Sequence, residues 1–441
     1  MSESKADVDS KIKEVSVKYH MFYQGKMEVI PKCWVSSLDD FSIWYTPGVA
    51  AVCNEIVKDK DKSFELTSRW NTIAVVSDGT RVLGLGNIGP EAGYPVMEGK
   101  ALIFKYLGGV DAVPICLNAR DEDKLVEVVK ALEPSFGGIN LEDIEKPKCF
   151  SVLDRLRSEL SIPVWHDDQQ GTATIILAGL MSALKVVNKR INDVHIAMIG
   201  AGAANIRTEG LIVNAGVDER KIVMVDSKGI LNTSRKDIEP YKWKLCLKTN
   251  SEGKEGGIAE ALKNADVCIA MARPGPNVIR KEWIQEMNNN AIVFACANPV
   301  PEIWPSKARE AGATVIATGR SDFPNQLNNS LVFPGIFRGA LDVRAKWISD
   351  GMCFAAAREI AIMTEEKGLS FDHIVPTMEE WEVFPREASV VAEEAVIEGL
   401  ARTKTSRQEE LEKAKEIILS SRNKLEELMR KGFIAKPPKI D

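Results

Sequence analysis

The stretch from Val194 to Thr318 alternates short apolar segments with amphipathic segments at a regular spacing. Short apolar segments bounded by turn residues are typical of buried strands, whereas apolar residues three and four apart are typical of helices. Strands that alternate with helices in this way predict a doubly wound parallel sheet. The chain is therefore expected to be an α/β protein that binds its ligands at the carboxyl ends of the strands.

A glycine-rich loop at residues 200–205, GAGAAN, joins the first predicted strand of this region to its first helix. Glycines permit a tight turn there and let the backbone approach a pyrophosphate at the helix N-terminus. Asn205 replaces the third small residue of the fingerprint, so close packing of helix on strand is less assured. We interpret the loop as a dinucleotide site, and a glycine-rich turn without a ligand is the alternative.

Asp226 ends the next predicted strand, and Ser227 and Lys228 follow it. A carboxylate at this position bonds the ribose diol of NAD and repels the additional phosphate of NADP. The hydroxyl and the cation that follow are suited to receive that phosphate. The choice between NAD and NADP therefore stays open.

Four carboxylates follow two short apolar segments nearer the N-terminus, as the pairs Glu142-Asp143 and Asp167-Asp168. Hard oxygen ligands of this kind select magnesium or manganese. Acidic pairs also occur on solvated surfaces, and Asp167 and Asp168 have the alternative role of favouring the start of the following helix. Their position after buried segments favours a metal site.

Three further side chains are candidates for chemistry. Lys100 lies in the first turns of a helix predicted over 96–107, after a glycine-rich loop at 82–95. Burial and a nearby cation can lower a lysine pKa from about 10.4 towards roughly 7–8, where the amine accepts a proton. Tyr45 can act as a general acid, and Arg81 can form a fork with a substrate carboxylate. The alternatives are that Lys100 is solvated, that Tyr45 only packs against its neighbours, and that Arg81 forms a surface ion pair.

Composition excludes several classes of protein. The 441 residues are enough for two or three domains. A net charge of −6 without a dense basic block excludes a nucleic-acid partner. The eight cysteines are scattered, which favours reduced thiols over a disulfide framework or a zinc site.

The N-terminal segment carries Glu3, Asp7 and Asp9, has no arginine before Arg69 and has no apolar leader, which argues against a targeting peptide. The longest apolar run, near Ile175 to Leu184, is too short to span a bilayer. We therefore expect a cytoplasmic protein without a membrane partner.

Several segments resemble the malic enzymes, in the same order along the chain. They are YTPGVA, SDGTRVLGLGNIG, MEGKALIFKYLGGVDAVP, INLEDIEKP, HDDQQGTA, IGAGAAN, CANPVPEIWP and NNSLVFPGIFRG. The resemblance covers roughly residues 40–400 and is closest to the small-subunit type of bacteria and archaea. The chain is shorter than the large-subunit animal type, so the additional regulatory sites of that type are not expected.

The resemblance implies oxidative decarboxylation of malate to pyruvate and carbon dioxide, with NAD or NADP and with magnesium or manganese. It implies that Lys100 is the base for the malate hydroxyl and Tyr45 the acid for enolpyruvate. The remaining implied roles are metal ligands at Glu142, Asp143 and Asp168, substrate carboxylate binding at Arg81, Asn298 and Asn329, and cofactor binding at Gly200, Gly202, Ala203, Asp226, Ser227, Lys228 and Asn298. Asp167 is expected to orient Asp168.

The expected organisation is an N-terminal α/β substrate and metal domain (1–164), a Rossmann-type domain (165–340) and a helical C-terminal region (341–441). A capping box at Ser406 and Glu409 predicts the start of its last helix. The resemblance also implies a homodimer or larger assembly, with Tyr45 reaching a neighbouring subunit's site. The alternatives are another dinucleotide-dependent enzyme, such as an amino-acid dehydrogenase, and a catalytically silent NAD(P)-binding sensor.

Overall fold

The computed structural model describes residues 5–439, so Glu3 of the acidic N-terminal segment lies outside it. Its strands form two sheets, one of four strands and one of six. The strands are β1 (Thr72–Ser77), β2 (Asp111–Cys116), β3 (Gly138–Leu141), β4 (Val164–His166), β5 (Ile196–Ile199), β6 (Ile222–Asp226), β7 (Gly229–Ile230), β8 (Val267–Ala270), β9 (Ile292–Ala295) and β10 (Val315–Thr318).

Helices cover both sheets and make up most of the C-terminal region. They are α1 (Lys5–Tyr23), α2 (Phe41–Trp44), α3 (Val49–Lys58), α4 (Ser63–Leu66), α5 (Pro90–Gly108), α6 (Glu122–Leu132), α7 (Lys148–Glu159), α8 (Asp167–Val186), α9 (Ala203–Asn214), α10 (Pro240–Lys248), α11 (Ile258–Leu262), α12 (Lys281–Gln285), α13 (Pro305–Glu310), α14 (Phe333–Asp342), α15 (Asp350–Lys367), α16 (Val383–Ile397) and α17 (Arg407–Arg430). Across residues 5–439, none of them is both long enough and apolar enough to cross a membrane.

The four-stranded sheet is parallel, in the order β2-β1-β3-β4. Strands β1, β3 and β4 are buried on both faces, as parallel strands covered by helices are, whereas the edge strand β2 is partly exposed. Leu141 at the end of β3 is in register with His166 at the end of β4. The residues that follow, Glu142 and Asp167, therefore leave the same edge of the sheet side by side.

The six-stranded sheet has the order β10-β9-β8-β5-β6-β7 and confirms the predicted doubly wound α/β fold. All of its pairs are parallel except the short β6–β7 pair. The strand order reverses between β5 and β8, and in such sheets the crevice at this point takes the ligand. The glycine-rich loop follows β5 and so lies at that crevice.

Helix α8 joins the two sheets through one continuous core. It starts directly after β4, and fifteen of its twenty residues are buried. One apolar cluster contains Ile73 of the first sheet, Leu177 of α8 and Met198 of the second sheet. The two sheets are thus packed on a shared helix.

Two predicted segments differ from the structure. The helix predicted over 96–107 begins at Pro90, because this proline takes the first helical position, where an N–H has no partner to lose. Pro95 removes one further hydrogen bond, but the buried Met97 and Phe104 hold the helix in place. The segment 227–256 is polar and has no regular apolar period, which predicts irregular structure, yet it contains α10, which also starts on a proline.

The predicted capping box at Ser406 and Glu409 is confirmed at the start of α17. The predicted apolar face of α17 is buried at Ala414 and Ile418. This helix packs against α5 and α16, so the C-terminal region covers the helix that carries Lys100.

Replacing Gly339 of α14 by alanine is expected to destabilise the fold by about 2–3 kcal/mol, the cost of overpacking a close helix contact. A Cβ built on Gly339 would lie 2.4 Å from the carbonyl oxygen of Ala388 in α16. Gly210→Ala in α9 is the matched control, because a Cβ there meets nothing within 4 Å. That substitution should stabilise α9 by roughly 0.5–1 kcal/mol. Thermal unfolding of both variants measures the difference, and equal midpoints would contradict it.

Candidate active site

Three carboxylates converge at the carboxyl edge of the four-stranded sheet. Glu142 and Asp143 follow β3, and Asp168 lies in the first turn of α8. Each offers an oxygen within 4.8 Å of those of the other two. The backbone N–H of Asp143 donates to Asp168 Oδ2 at 3.0 Å, which ties the two loops together.

These carboxylates fit a divalent cation. Burial raises the pKa of Glu142 well above its usual range. Burial, helped by the charge of Asp168, raises the pKa of Asp143 to about 8. Asp143 Oδ2 is buried without a hydrogen-bond partner in the part of the chain described. A hard cation would both neutralise the crowded charge and occupy the unpartnered oxygen.

Lys100 lies in the middle of α5 with its side chain buried against this cluster. Its Nζ donates to Glu142 Oε1 at 3.2 Å, forms an ion pair with Asp167, and lies 4.0 Å from the ring centre of Phe333. Burial lowers the pKa of Lys100, but the charges of Asp167 and Glu142 outweigh it, and the net pKa is raised. Burial alone therefore does not lower the net pKa of Lys100, and the predicted lowering also requires a nearby cation.

Asp167 is fully buried and acts on Lys100. Its Oδ1 accepts from Trp165 Nε1 at 3.2 Å, and its Oδ2 pairs with Lys100. Gly171, one turn later, is needed because a Cβ there would lie 2.0 Å from Asp167 Oδ1. These contacts do not fit the expected role of orienting Asp168.

The predicted substrate residues lie around this cluster. Arg81 donates its backbone N–H to Asp143 O at 2.9 Å, and its exposed guanidinium meets only the Leu83 carbonyl among its described partners. Asn329 packs against the first turns of α8, with its Cβ 3.3 Å from a Cβ built on Gly171. The structure thus brings both residues to the edge of the sheet that carries the three carboxylates.

Asn298 follows β9 and lies between the two halves of the site. A Cβ built on Gly84 would lie 3.1 Å from the Asn298 carbonyl oxygen. The loop before it is held by Glu302, a residue that sequence reasoning missed. Its buried carboxylate accepts from Ala272 N at 2.8 Å and from Ala297 N at 3.0 Å. Burial raises the pKa of Glu302 to about 7.

No hydrogen bond within the described residues ties Tyr45 to the carboxylate cluster. Its side chain is 70% exposed and makes no hydrogen bond within residues 5–439. Its backbone is used instead, with its N–H donating to Phe41 O and its carbonyl accepting from Val49 N.

The glycine-rich loop has the geometry of a phosphate-binding turn. Gly200 has φ 103°, and a Cβ there would lie 2.6 Å from Met271 O, so only glycine fits. Gly202 caps α9 and faces open space, and Ala203 is the first residue of that helix. Asn205 is buried and donates to Ile199 O at 3.0 Å and Gly200 O at 2.7 Å. It therefore braces the loop instead of loosening it.

Asp226 is surrounded by cations that sequence reasoning missed. Its carboxylate accepts from Arg235 at 2.9 Å, from Lys242 at 3.0 Å and from the backbone N–H of Lys228 at 2.9 Å. Burial raises the pKa of Asp226, but these donors outweigh it and the net pKa is lowered. Asp226 is thus an ionised carboxylate whose negative charge is balanced by Arg235 and Lys242. Ser227 and the exposed ammonium of Lys228 lie beside it, the latter paired with Asp237 at 3.0 Å.

Comparison with known proteins supports one family throughout. Residues 24–157 match the family model for the malic enzyme N-terminal domain, and residues 169–398 match that for the malic enzyme NAD binding domain. The bifunctional malic/malolactic enzyme of Bacillus subtilis is 47% identical over 409 residues, which cover 92% of this chain and 99% of that protein. The NADP-dependent malic enzyme of Escherichia coli is 42% identical, covering 89% of this chain and 54% of that protein.

Solved structures agree with the sequence relatives. The malic enzyme of Entamoeba histolytica superimposes with a TM-score of 0.94 at 47% identity, covering 97% of this chain and 90% of that one. The malic enzyme of Pyrococcus horikoshii gives a TM-score of 0.91 at 51% identity, covering 95% of this chain and 99% of that one.

Proposed function

The chain belongs to the malic enzyme family, and on that premise we propose that it oxidatively decarboxylates malate to pyruvate and carbon dioxide with NAD or NADP. The observation that carries the proposal is the buried Lys100, which contacts Glu142 of the carboxylate cluster. The loop that carries Glu142 and Asp143 also reaches the glycine-rich loop, through the bond from Lys146 to Ala201. We further propose the division into residues 1–164, 165–340 and 341–441, supported by family matches that end at 157 and begin at 169.

Glu142, Asp143 and Asp168 would hold magnesium or manganese. When bound there, such a cation polarises the substrate oxygen as a Lewis acid and stabilises negative charge on it. The buried, unpartnered Asp143 Oδ2 supports this assignment.

Lys100 would accept the malate hydroxyl proton at Nζ, and a bound dinucleotide would supply the hydride acceptor. Asp167 holds that nitrogen against the cluster, since it pairs with Lys100 from a fully buried position. Lys100 can accept a proton only when its amine is neutral. The negative charges of Asp167 and Glu142 oppose this, because they raise its pKa. Offsetting that charge lowers the pKa again, so base catalysis depends on an occupied cluster.

Arg81, Asn298 and Asn329 bind the substrate carboxylates. The guanidinium of Arg81 is exposed and pairs with no carboxylate in residues 5–439, so its fork is available to malate. Asn298 follows β9 of the six-stranded sheet and lies against the loop at Gly84. This position would also allow it to contact the nicotinamide.

The assembly is a homodimer or larger, in which Tyr45 protonates enolpyruvate in a neighbouring subunit's site. The segment around Tyr45 exposes more large apolar side chains than an isolated surface would. These residues are Val29, Ile30, Trp34, Val35, Leu38, Phe41, Ile43, Trp44, Val57 and Leu66. A second copy of this chain would cover them and bring Tyr45 to that copy's carboxylate cluster.

Mixing Tyr45→Phe with Lys100→Ala protein tests the shared site. Each variant alone should be inactive. After equal mixing and subunit exchange, half of the dimers are mixed and each holds one complete site, so about a quarter of the wild-type activity should return. No recovery despite exchange shown by native mass spectrometry would place Tyr45 in its own subunit's site.

NADP is accepted at least as well as NAD. Asp226 repels a phosphate only while its charge is free, and Arg235 and Lys242 neutralise it. Ser227 and Lys228 can then receive the phosphate, as their position after β6 suggests.

Steady-state malate oxidation with NAD and NADP, each with and without manganese, tests the function. We expect pyruvate formation that depends strictly on the metal, and an NADP efficiency equal to or above that of NAD. Full activity after chelation would favour a metal-independent enzyme such as an amino-acid dehydrogenase. Dinucleotide binding without turnover of malate would favour the sensor.

A further inference from the structure

Lys146 crosses from the metal-binding loop to the glycine-rich loop. It follows the carboxylates Glu142 and Asp143 on the segment that leaves β3. Its Nζ donates to the carbonyl oxygen of Ala201, between Gly200 and Gly202, at 3.4 Å. The residue as a whole is exposed, whereas its bond to Ala201 is partly buried. A lysine from the substrate half therefore reaches the turn that holds the pyrophosphate in a dinucleotide fold.

The ammonium of Lys146 is not balanced by an anion. Among the side chains of residues 11–439, no carboxylate lies within ion-pair distance of its Nζ, and the single bond to Ala201 is a long one. An ammonium has three donors to satisfy. Burial lowers the pKa of Lys146, as does the charge of Lys242, whereas Glu239 and Asp226 oppose the change from farther away. An anion brought to this place would supply the missing partner.

We propose that Lys146 binds the pyrophosphate of the dinucleotide, so that the substrate half of the chain supplies part of the cofactor site. This inference rests on the proposed function, because it requires a dinucleotide at the glycine-rich loop. The pyrophosphate is favoured over the 2′-phosphate because Lys146 contacts Ala201 of that loop, whereas Asp226 and its cations form a separate group.

The position of Lys146 also couples the cofactor to the metal. Asp143, a proposed metal ligand, lies three residues before Lys146 on the same loop and is tied to Asp168. Fixing the loop through a phosphate would order that ligand. Coupling of this kind is reciprocal, so the dinucleotide should tighten manganese binding and manganese should tighten dinucleotide binding.

Lys146→Met tests the inference, with Lys146→Arg as the variant that keeps the charge. Lys244→Met is the control, because Lys244 is an exposed lysine of α10 in the cofactor half. Dissociation constants for NADPH, NADH and ADP-ribose are measured by calorimetry and by quenching of tryptophan fluorescence. A charge-assisted bond to phosphate predicts that Lys146→Met weakens all three by about 10- to 100-fold. The dissociation constants of Lys146→Arg should stay within about threefold of those of wild type. Those of Lys244→Met should equal the wild-type values.

The outcomes separate this inference from the proposed function. Unchanged affinity of Lys146→Met for all three probes would overturn the inference alone, as would a loss confined to NADPH, which would assign Lys146 to the 2′-phosphate. Wild-type protein that binds none of the probes would overturn the proposed function, and the inference with it. Manganese affinity, followed by electron paramagnetic resonance, should rise several-fold with NADPH in wild type and not in Lys146→Met. Thermal unfolding confirms that each variant is folded.

Discussion

Lys100→Met is expected to lower kcat for malate oxidation by about three orders of magnitude, because a positioned general base contributes roughly 10²- to 10⁴-fold. Methionine fills the space of the lysine stem but accepts no proton. The Michaelis constant for the dinucleotide should change little, since Lys100 contacts Glu142, Asp167 and Phe333 and not the glycine-rich loop. Stopped-flow formation of the reduced cofactor at saturating manganese measures the loss in the hydride-transfer step.

Two further variants separate the loss of the base from damage to the fold. Lys105→Met removes an exposed lysine of the same helix that pairs with Asp111, and it should retain nearly full activity. Lys100→Arg keeps a cation between the two buried carboxylates, but a guanidinium does not give up its proton. It should therefore be as inactive as Lys100→Met while losing less thermal stability. Activity of Lys100→Arg within tenfold of wild type would contradict the role of Lys100 as base.

The fold was largely predictable because its elements carry local signals. The strands of the second sheet are short apolar runs, and amphipathic segments between them form helices such as Ala203–Asn214 and Ile258–Leu262. Errors occurred where tertiary packing outweighs local preference. Pro95 indicated a helix boundary, yet α5 continues through it because its next turns are buried.

The residues of the candidate site could be predicted from their types, but the side chains that contact them could not. Glu142, Asp143 and Asp168 could be identified as carboxylates after buried strands, and the structure brings them together. The partners of Asp226 could not be, because Arg235 and Lys242 lie in a polar segment without periodicity and reach Asp226 only after folding. Lys146 was missed for the same reason, since its contact with Ala201 joins distant parts of the chain.

Asp167 and Asp168 provide the sharpest test of the site, because they are neighbours with different contacts. Asp168→Asn is expected to weaken manganese binding by about 100-fold, the upper end of the effect expected even for residues that only orient ligands. It removes charge from a cluster whose oxygens lie within 4.8 Å of one another. Asp167→Asn should leave manganese affinity within a few-fold of wild type, since Asp167 bonds Trp165 and Lys100. Electron paramagnetic resonance of free manganese gives both constants without relying on turnover.

At saturating manganese, we expect the turnover rate to fall more in Asp167→Asn than in Asp168→Asn, the reverse of the order expected for manganese affinity. With manganese raised until the Asp168→Asn site is filled, much of its activity should return, because the base and its partner are intact. Asp167→Asn should stay about 100-fold below wild type at any manganese concentration, since Lys100 loses its principal partner and the geometry for proton transfer. Equal loss of manganese affinity in both variants would contradict the division of roles. Adjacent carboxylates at one helix start would then act together on the metal, and Lys100 would be held by Glu142 alone.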